Sequence, residues 1–103
     1  MNKTKQTKLE AAGWKVGEVT DFLDLSPEEA ELIEIKLVLS QTLRKRRSER
    51  MTQAELAAKI GSSQPRVARA ESGDGSVSLD LLVRATLATG ATLKEIGDAI
   101  AAA

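Results

Sequence analysis

Residues 52–73 read TQAELAAKIGSSQPRVARAESG, and no other stretch restricts the fold as strongly. Thr52-Gln53-Ala54-Glu55 has the form of a capping box, in which a threonine and a glutamate satisfy each other's backbone N–H groups at a helix start. Met51 and Leu56 make a hydrophobic staple across it. The helix begun there is predicted to run to Ile60 and to stop at Gly61, which enters a left-handed turn without a Cβ clash. Ser63 then caps a second helix, and Pro65 falls in its first turn, where a missing N–H costs nothing. Ala57 marks the point where the two helices must cross closely, since a larger side chain would overpack it at about 1–3 kcal/mol. Val67 and Ala70 point back to the core. The joint therefore fixes the second helix at one angle to the first and leaves Gln64, Arg66 and Arg69 exposed near its start.

The rest of the chain carries the same dense helix punctuation. Ser26-Pro27-Glu28-Glu29 combines an N-cap, a proline at the first helical position and a glutamate at the third, and helical spacing follows to about Arg47. Leu32, Ile35, Leu39 and Leu43 form one apolar stripe on this long helix. Ile33 and Leu37 form a second row that needs another partner, either the N-terminal segment or a second subunit. Ser72-Gly73-Asp74-Gly75 reads as a turn. Ser78 caps a helix over residues 79–88, with Val77 and Leu82 as its staple and Gly90 as its end. Thr92 and Glu95 open a last helix carrying Leu93, Ile96 and Ile100. Sustained strand alternation is absent apart from a short candidate at residues 14–19. The expected fold is all-α.

A chain of 103 residues with 42% hydrophobic content suits one domain with a real core. It lacks cysteine, and so has neither a disulfide framework nor a thiolate metal site. The polar start MNKTKQTKLE has no apolar leader, and no stretch approaches the roughly 20 apolar residues of a membrane span. A cytoplasmic protein is expected. Net charge is zero but unevenly distributed. Seven acids and no base fall in residues 18–34 (Glu18, Asp21, Asp24, Glu28, Glu29, Glu31, Glu34), whereas residues 41–71 carry eight bases and three acids. Fields are local when the Debye length is about 8 Å, so a basic module and an acidic one can coexist on a small domain.

Two short helices joined this tightly are a helix-turn-helix motif. In that motif the start of the second helix enters the major groove, where glutamine can pair with adenine and arginine with guanine. Gln53 sits at the first helix's N-terminus, where backbone N–H groups and the helix dipole favour a phosphate. The run Arg44-Lys45-Arg46-Arg47 reads either as further phosphate contacts or as a solvated helix end whose cations suit the dipole.

Residues 39–100 resemble the lambda/434 repressor and Cro type of helix-turn-helix domain, the xenobiotic-response-element (XRE) family. The shared features are T-Q-A-E-L-A at 52–57, Gly61, the Ser63-Gln64 pair, Val67 and the Glu71-x-Gly73 ending. The resemblance implies a five-helix, lambda repressor-like DNA-binding domain over residues 26–103 with its helix-turn-helix at 52–71, preceded by an extension of 25 residues. It implies sequence-specific regulation, by a homodimer on a palindromic operator of double-stranded DNA with recognition helices about 34 Å apart. The family's pattern gives Gln64, Arg66 and Arg69 as base-reading residues and Gln53 and Ser63 as phosphate contacts, with Arg47 and Lys59 as further candidates. The Glu71 match pairs with a first-helix arginine, here Arg46 or Arg47. Pro65 replaces a residue that often contacts DNA, which narrows base readout. Ala70 is smaller than the usual core residue, which implies slack packing.

Ala12-Gly13-Trp14-Lys15-Val16-Gly17, followed by Asp21-Phe22-Leu23, resembles a preamble of HigA-like antitoxins, which bind a small ribonuclease toxin of the RelE or HigB kind and repress their shared operon. The acidic 18–34 stretch would suit such a basic partner. Equally, Trp14 and Phe22 can cover Ile33 and Leu37 on their own domain. Candidate partner or dimer contacts are thus Trp14, Phe22, Ile33 and Leu37, with Ile96 and Ile100 on the last helix. Because Trp14 and Phe22 are the chain's only aromatics, a base-stacking platform for single strands is excluded. The chain has no His, Cys or Tyr, which removes the commonest general base, the thiol nucleophile and the phenolic acid. No glycine-rich phosphate loop appears. Neither an enzyme nor a cofactor or metal requirement is expected.

Overall fold

A computed structural model describes residues 25–103. Five α-helices follow one another: α1 (Pro27–Ser48), α2 (Gln53–Ile60), α3 (Gln64–Glu71), α4 (Leu79–Ala88) and α5 (Leu93–Ala101). Among the described residues all regular structure is helical. Trp14, Phe22 and the candidate strand at 14–19 lie outside the described residues.

Each helix start is written locally. Ser26, Thr52 and Thr92 form complete capping boxes with Glu29, Glu55 and Glu95, while Ser63 and Ser78 accept the backbone N–H groups of Arg66 and Leu81. α2 ends at Gly61 with φ +66° and ψ +36°, the left-handed cap expected from the sequence, and its N–H donates back to the Ala57 and Ala58 carbonyls. At these conformations a residue with a Cβ is strained, so the sharp α2–α3 joint depends on this glycine.

The core gathers Leu39 and Leu43 from α1, Leu56 and Ala57 from α2, Val67 and Ala70 from α3, Leu81, Leu82 and Ala85 from α4, and Ile96 from α5. α1 packs along α4 and α5, and α2 crosses α3 closely, with Ala57 buried. Ala70 is 1% exposed, so its small side chain is fully enclosed by this cluster.

Two expectations for α1 and α5 are corrected. Leu32, which spacing puts on the core stripe, is exposed, whereas its neighbour Ile33, which spacing puts on the outer row, is buried. The outer row meets the chain's own α3–α4 loop: Ile33 and Leu37 line one recess with Gly73–Gly75, and Lys36 Nζ donates to the Gly75 carbonyl at 3.0 Å. Spacing along the helix gives no sign of this contact, because an irregular loop and not a helix supplies it. On α5, Ile96 is buried in the domain's own core and is not available to a partner, and Ile100 packs against the same cluster from a half-buried position. Leu93, read with them on one helix, is 78% exposed.

Candidate nucleic-acid interface

α3 lies across the domain with Val67, Ala70 and Glu71 turned inward and Gln64, Pro65, Arg66 and Arg69 exposed. At about 100° per residue, Gln64 and Ala68 fall on the flank toward α2, Pro65 and Arg69 at the apex, and Arg66 on the opposite flank. The outward face of α3 thus presents one amide, two guanidinium groups and a proline ring without a donor.

A chain of hydrogen bonds holds the α2-facing flank in place. Arg47, near the end of α1, grips Glu71 in a two-pronged ion pair, with Nε donating to Oε2 and Nη2 to Oε1, each at 2.7 Å. The third guanidinium nitrogen, Nη1, donates to the Met51 carbonyl at 3.2 Å, which ties the α1–α2 linker to the pair. Gln53 Nε2 donates to Glu71 Oε1 at 3.1 Å, and Gln53 Oε1 accepts from Gln64 Nε2 at 2.6 Å. The order is Arg47, Glu71, Gln53, Gln64: a buried charge pair at one end and an exposed amide on α3 at the other.

Electrostatics follow from this geometry. Burial alone would push the Glu71 carboxyl up, but hydrogen bonds from Arg47 and Gln53, with the charges of Arg47 and Arg44, outweigh it and hold it below 4.5. The bond to Glu71 in turn raises Arg47, so both partners are charged at neutral pH. A fork-to-fork arginine–carboxylate pair fixes orientation as well as distance.

The structure resolves the choice between Arg46 and Arg47: Arg47 pairs with Glu71. Arg46 turns to the other side of α1, where its Nε donates to Thr89 Oγ1 at 3.3 Å and its Nη1 to Glu95 Oε2 at 2.6 Å. Arg47 is also a phosphate candidate: each of its three guanidinium nitrogens is bonded within the fold, so the second N–H on Nη1 and on Nη2 is what it has left to offer an anion. Gln53 has both ends of its amide in the chain of bonds, which leaves its backbone N–H at the start of α2 for an anion. Ser63 Oγ accepts from Arg66 N at 3.4 Å and keeps its own proton to donate. Lys59 is exposed in the last turn of α2. Arg44, Arg47, Gln53 and Glu71 line one recess with Ala68 and Ser72 beside α3.

Sequence reasoning passed over Arg84. It is exposed on α4, yet it lines a recess together with Arg66 and Arg69 of α3. No local pattern points to it, because it meets the α3 arginines only through the α3–α4 packing.

The helix-turn-helix family profile matches residues 43–96, just over half of the chain, and takes in α2, α3 and α4 with the adjoining ends of α1 and α5. The chain belongs to the helix-turn-helix family, in its XRE-type branch. It is a DNA-binding transcription regulator, and the five described helices form the lambda repressor-like arrangement. No curated protein and no solved structure matches the chain. None of the helices among the described residues is long and apolar enough to cross a membrane.

Proposed function

We propose that the protein is a sequence-specific repressor that reads bases with Gln64, Arg66 and Arg69, while the α2 N-terminus at Gln53, Ser63 and Lys59 meets the phosphate backbone. The observation that carries this reading is the chain of bonds from Arg47 to Gln64. It fixes the exposed amide of α3 before DNA arrives, so less side-chain freedom is lost on binding. Arg47 acts here as a positioning residue. The protein binds as a homodimer, each copy offering one α3 to a half-site of a palindrome. Since Ile96 is taken up by the core, the apolar positions left for a second copy at the α4–α5 end are the exposed Leu87 and Leu93 and the half-buried Ile100.

The test is fluorescence-anisotropy binding to the gene's own upstream DNA and to a shuffled duplex. Gln64→Ala and Arg66→Ala are expected to lose about 1–3 kcal/mol on the upstream DNA and much less on the shuffled one. Equal losses on both duplexes would count against base readout.

A second role, as the antitoxin of a toxin–antitoxin operon, rests on the residue 12–23 resemblance and on charge. Glu28, Glu29 and Glu31 are exposed at the start of α1, and sixteen residues of helix separate Glu28 from Arg44, about 24 Å. That is several Debye lengths, so an acidic surface for a basic ribonuclease and a basic surface for DNA would act independently. A small basic reading frame beside the gene, whose product co-purifies with this chain, is the expected result. A solitary gene would leave a stand-alone repressor, with residues 1–25 as an extension of its 26–103 domain.

A further inference from the structure

Between α3 and the start of α4 lies a recess of about 360 Å³, open to solvent and lined by Arg66, Arg69, Arg84, Leu81, Ser76 and Ser78. Three exposed guanidinium groups from two helices converge on it. None of the three forms an ion pair with a described residue, in contrast to Arg46 and Arg47, which each hold a carboxylate. Asp74, beside the recess, has a carboxylate that feels Arg69 but accepts its hydrogen bonds from the backbone N–H and hydroxyl of Ser76, at 2.9 and 2.8 Å. Asp80, one turn before Arg84 on α4, forms no ion pair with it and does not line the recess. The recess therefore collects like charges without a protein anion inside it.

We propose that this recess is a second phosphate-binding site, that its occupant is a backbone phosphate of the DNA, and that Arg84 is the residue dedicated to it. The proposal rests on the DNA-reading role given to α3 above. A helix seated in the major groove, about 12 Å wide, has one sugar–phosphate backbone on each side. Gln53 and the α2 N-terminus stand on the Gln64 flank of α3 and meet one wall of the groove. Arg66 turns to the opposite flank, and the first element beyond it is α4, where Arg84 faces the same recess. Arginine's planar fork suits a phosphate oxygen pair, and an exposed arginine gives up little hydration energy to make the contact. The arrangement clasps the two walls from two different helices, with α3 between them.

The experiment compares wild type, Arg84→Ala and Arg84→Lys in the full chain, on upstream and shuffled duplexes, between about 50 and 300 mM salt. One lost phosphate contact removes about one unit from the slope of log K against log salt and weakens binding on the order of five- to tenfold at 0.1 M, equally on both duplexes. Arg84→Lys keeps the charge and is expected to retain the slope. Thermal melts of all three should coincide, because Arg84 is exposed. An unchanged slope and affinity in Arg84→Ala, with wild type still preferring its operator, would overturn this inference alone. Loss confined to the upstream duplex with an unchanged slope would make Arg84 a base reader and also overturn it. So would calorimetric binding of inorganic phosphate in the micromolar range that Arg84→Ala abolishes, since the recess would then serve a free anion. If wild type shows no preference for its operator, the DNA-reading proposal itself fails.

Discussion

Arg47→Met removes one partner of the Arg47–Glu71 pair and nothing else of comparable size. The Arg47 side chain is 16% exposed and that of Glu71 only 4%, so the carboxylate is left with little water, the single Gln53 bond and the charge of Arg44. Removing one partner of a buried pair costs about 3–5 kcal/mol, and the residual exposure of Arg47 places this variant near about 3 kcal/mol. For a domain of this size that corresponds to roughly 12–24 °C in the melting temperature. The loss should also depend on pH, and the sign follows from Glu71. In wild type the carboxyl is held below 4.5, so the stability it contributes is present at neutral pH and is lost as pH falls through its folded value. Without Arg47, burial dominates and raises it, so ionisation opposes folding as pH climbs above 4.5. The gap between wild type and variant therefore opens as pH rises through the wild-type folded value of Glu71 and past 4.5, and narrows in acid. Urea titrations followed by circular dichroism at several pH values measure it directly. A gap under about 1 kcal/mol, as for an exposed pair, or one that is flat with pH, would refute the claim that this pair is buried and coupled.

The neighbouring Arg46→Met supplies a contrast: its Glu95 partner is 47% exposed, and the variant should lose less than about 1 kcal/mol in the same titrations. Gly61→Val places a β-branched residue at φ +66° and should cost about 1–2 kcal/mol from the backbone alone, since a Cβ there meets no atom within 4 Å. Gly61→Asn, which tolerates the left-handed region better, should recover part of that loss in a thermal melt. Ala57→Leu should lose about 1–3 kcal/mol by overpacking the α2–α3 crossing, and operator affinity should fall with it as α3 shifts. Leu82→Ala, at a position 1% exposed, should cost about 3 kcal/mol by opening a cavity, while leaving the salt dependence of DNA binding unchanged.

The fold was legible because its boundaries are set by short-range chemistry. A serine or threonine with a glutamate three residues on, or a glycine where the chain must turn left-handed, acts within one helical turn and can be read without knowing the rest. The α1 stripe fails for the complementary reason. Leu32 and Ile33 are adjacent and equally apolar, and which of them is covered depends on what packs on α1 from elsewhere in the chain, as the 73–75 loop does beside Ile33. Spacing along one helix carries no information about an irregular segment that packs on it.

The candidate site divides along the same line. Gln64, Arg66 and Arg69 were legible because the joint at Gly61 determines which face of α3 is outward. Their supports were not, because Arg46 and Arg47 differ in role only through the roll of α1, which turns one guanidinium toward Thr89 and Glu95 and the other toward Glu71. Gln53 shows the same dependence: its position at the helix start suggested a phosphate contact, but its amide bridges Glu71 and Gln64 across two helices. Arg84 lies furthest from any local signal, since its proximity to Arg66 and Arg69 exists only once α4 has packed beside α3. Sequence spacing thus identifies the exposed face of α3. The groups that hold that face in place, and the Arg84 guanidinium that joins its arginines, are set by contacts between helices that spacing does not encode.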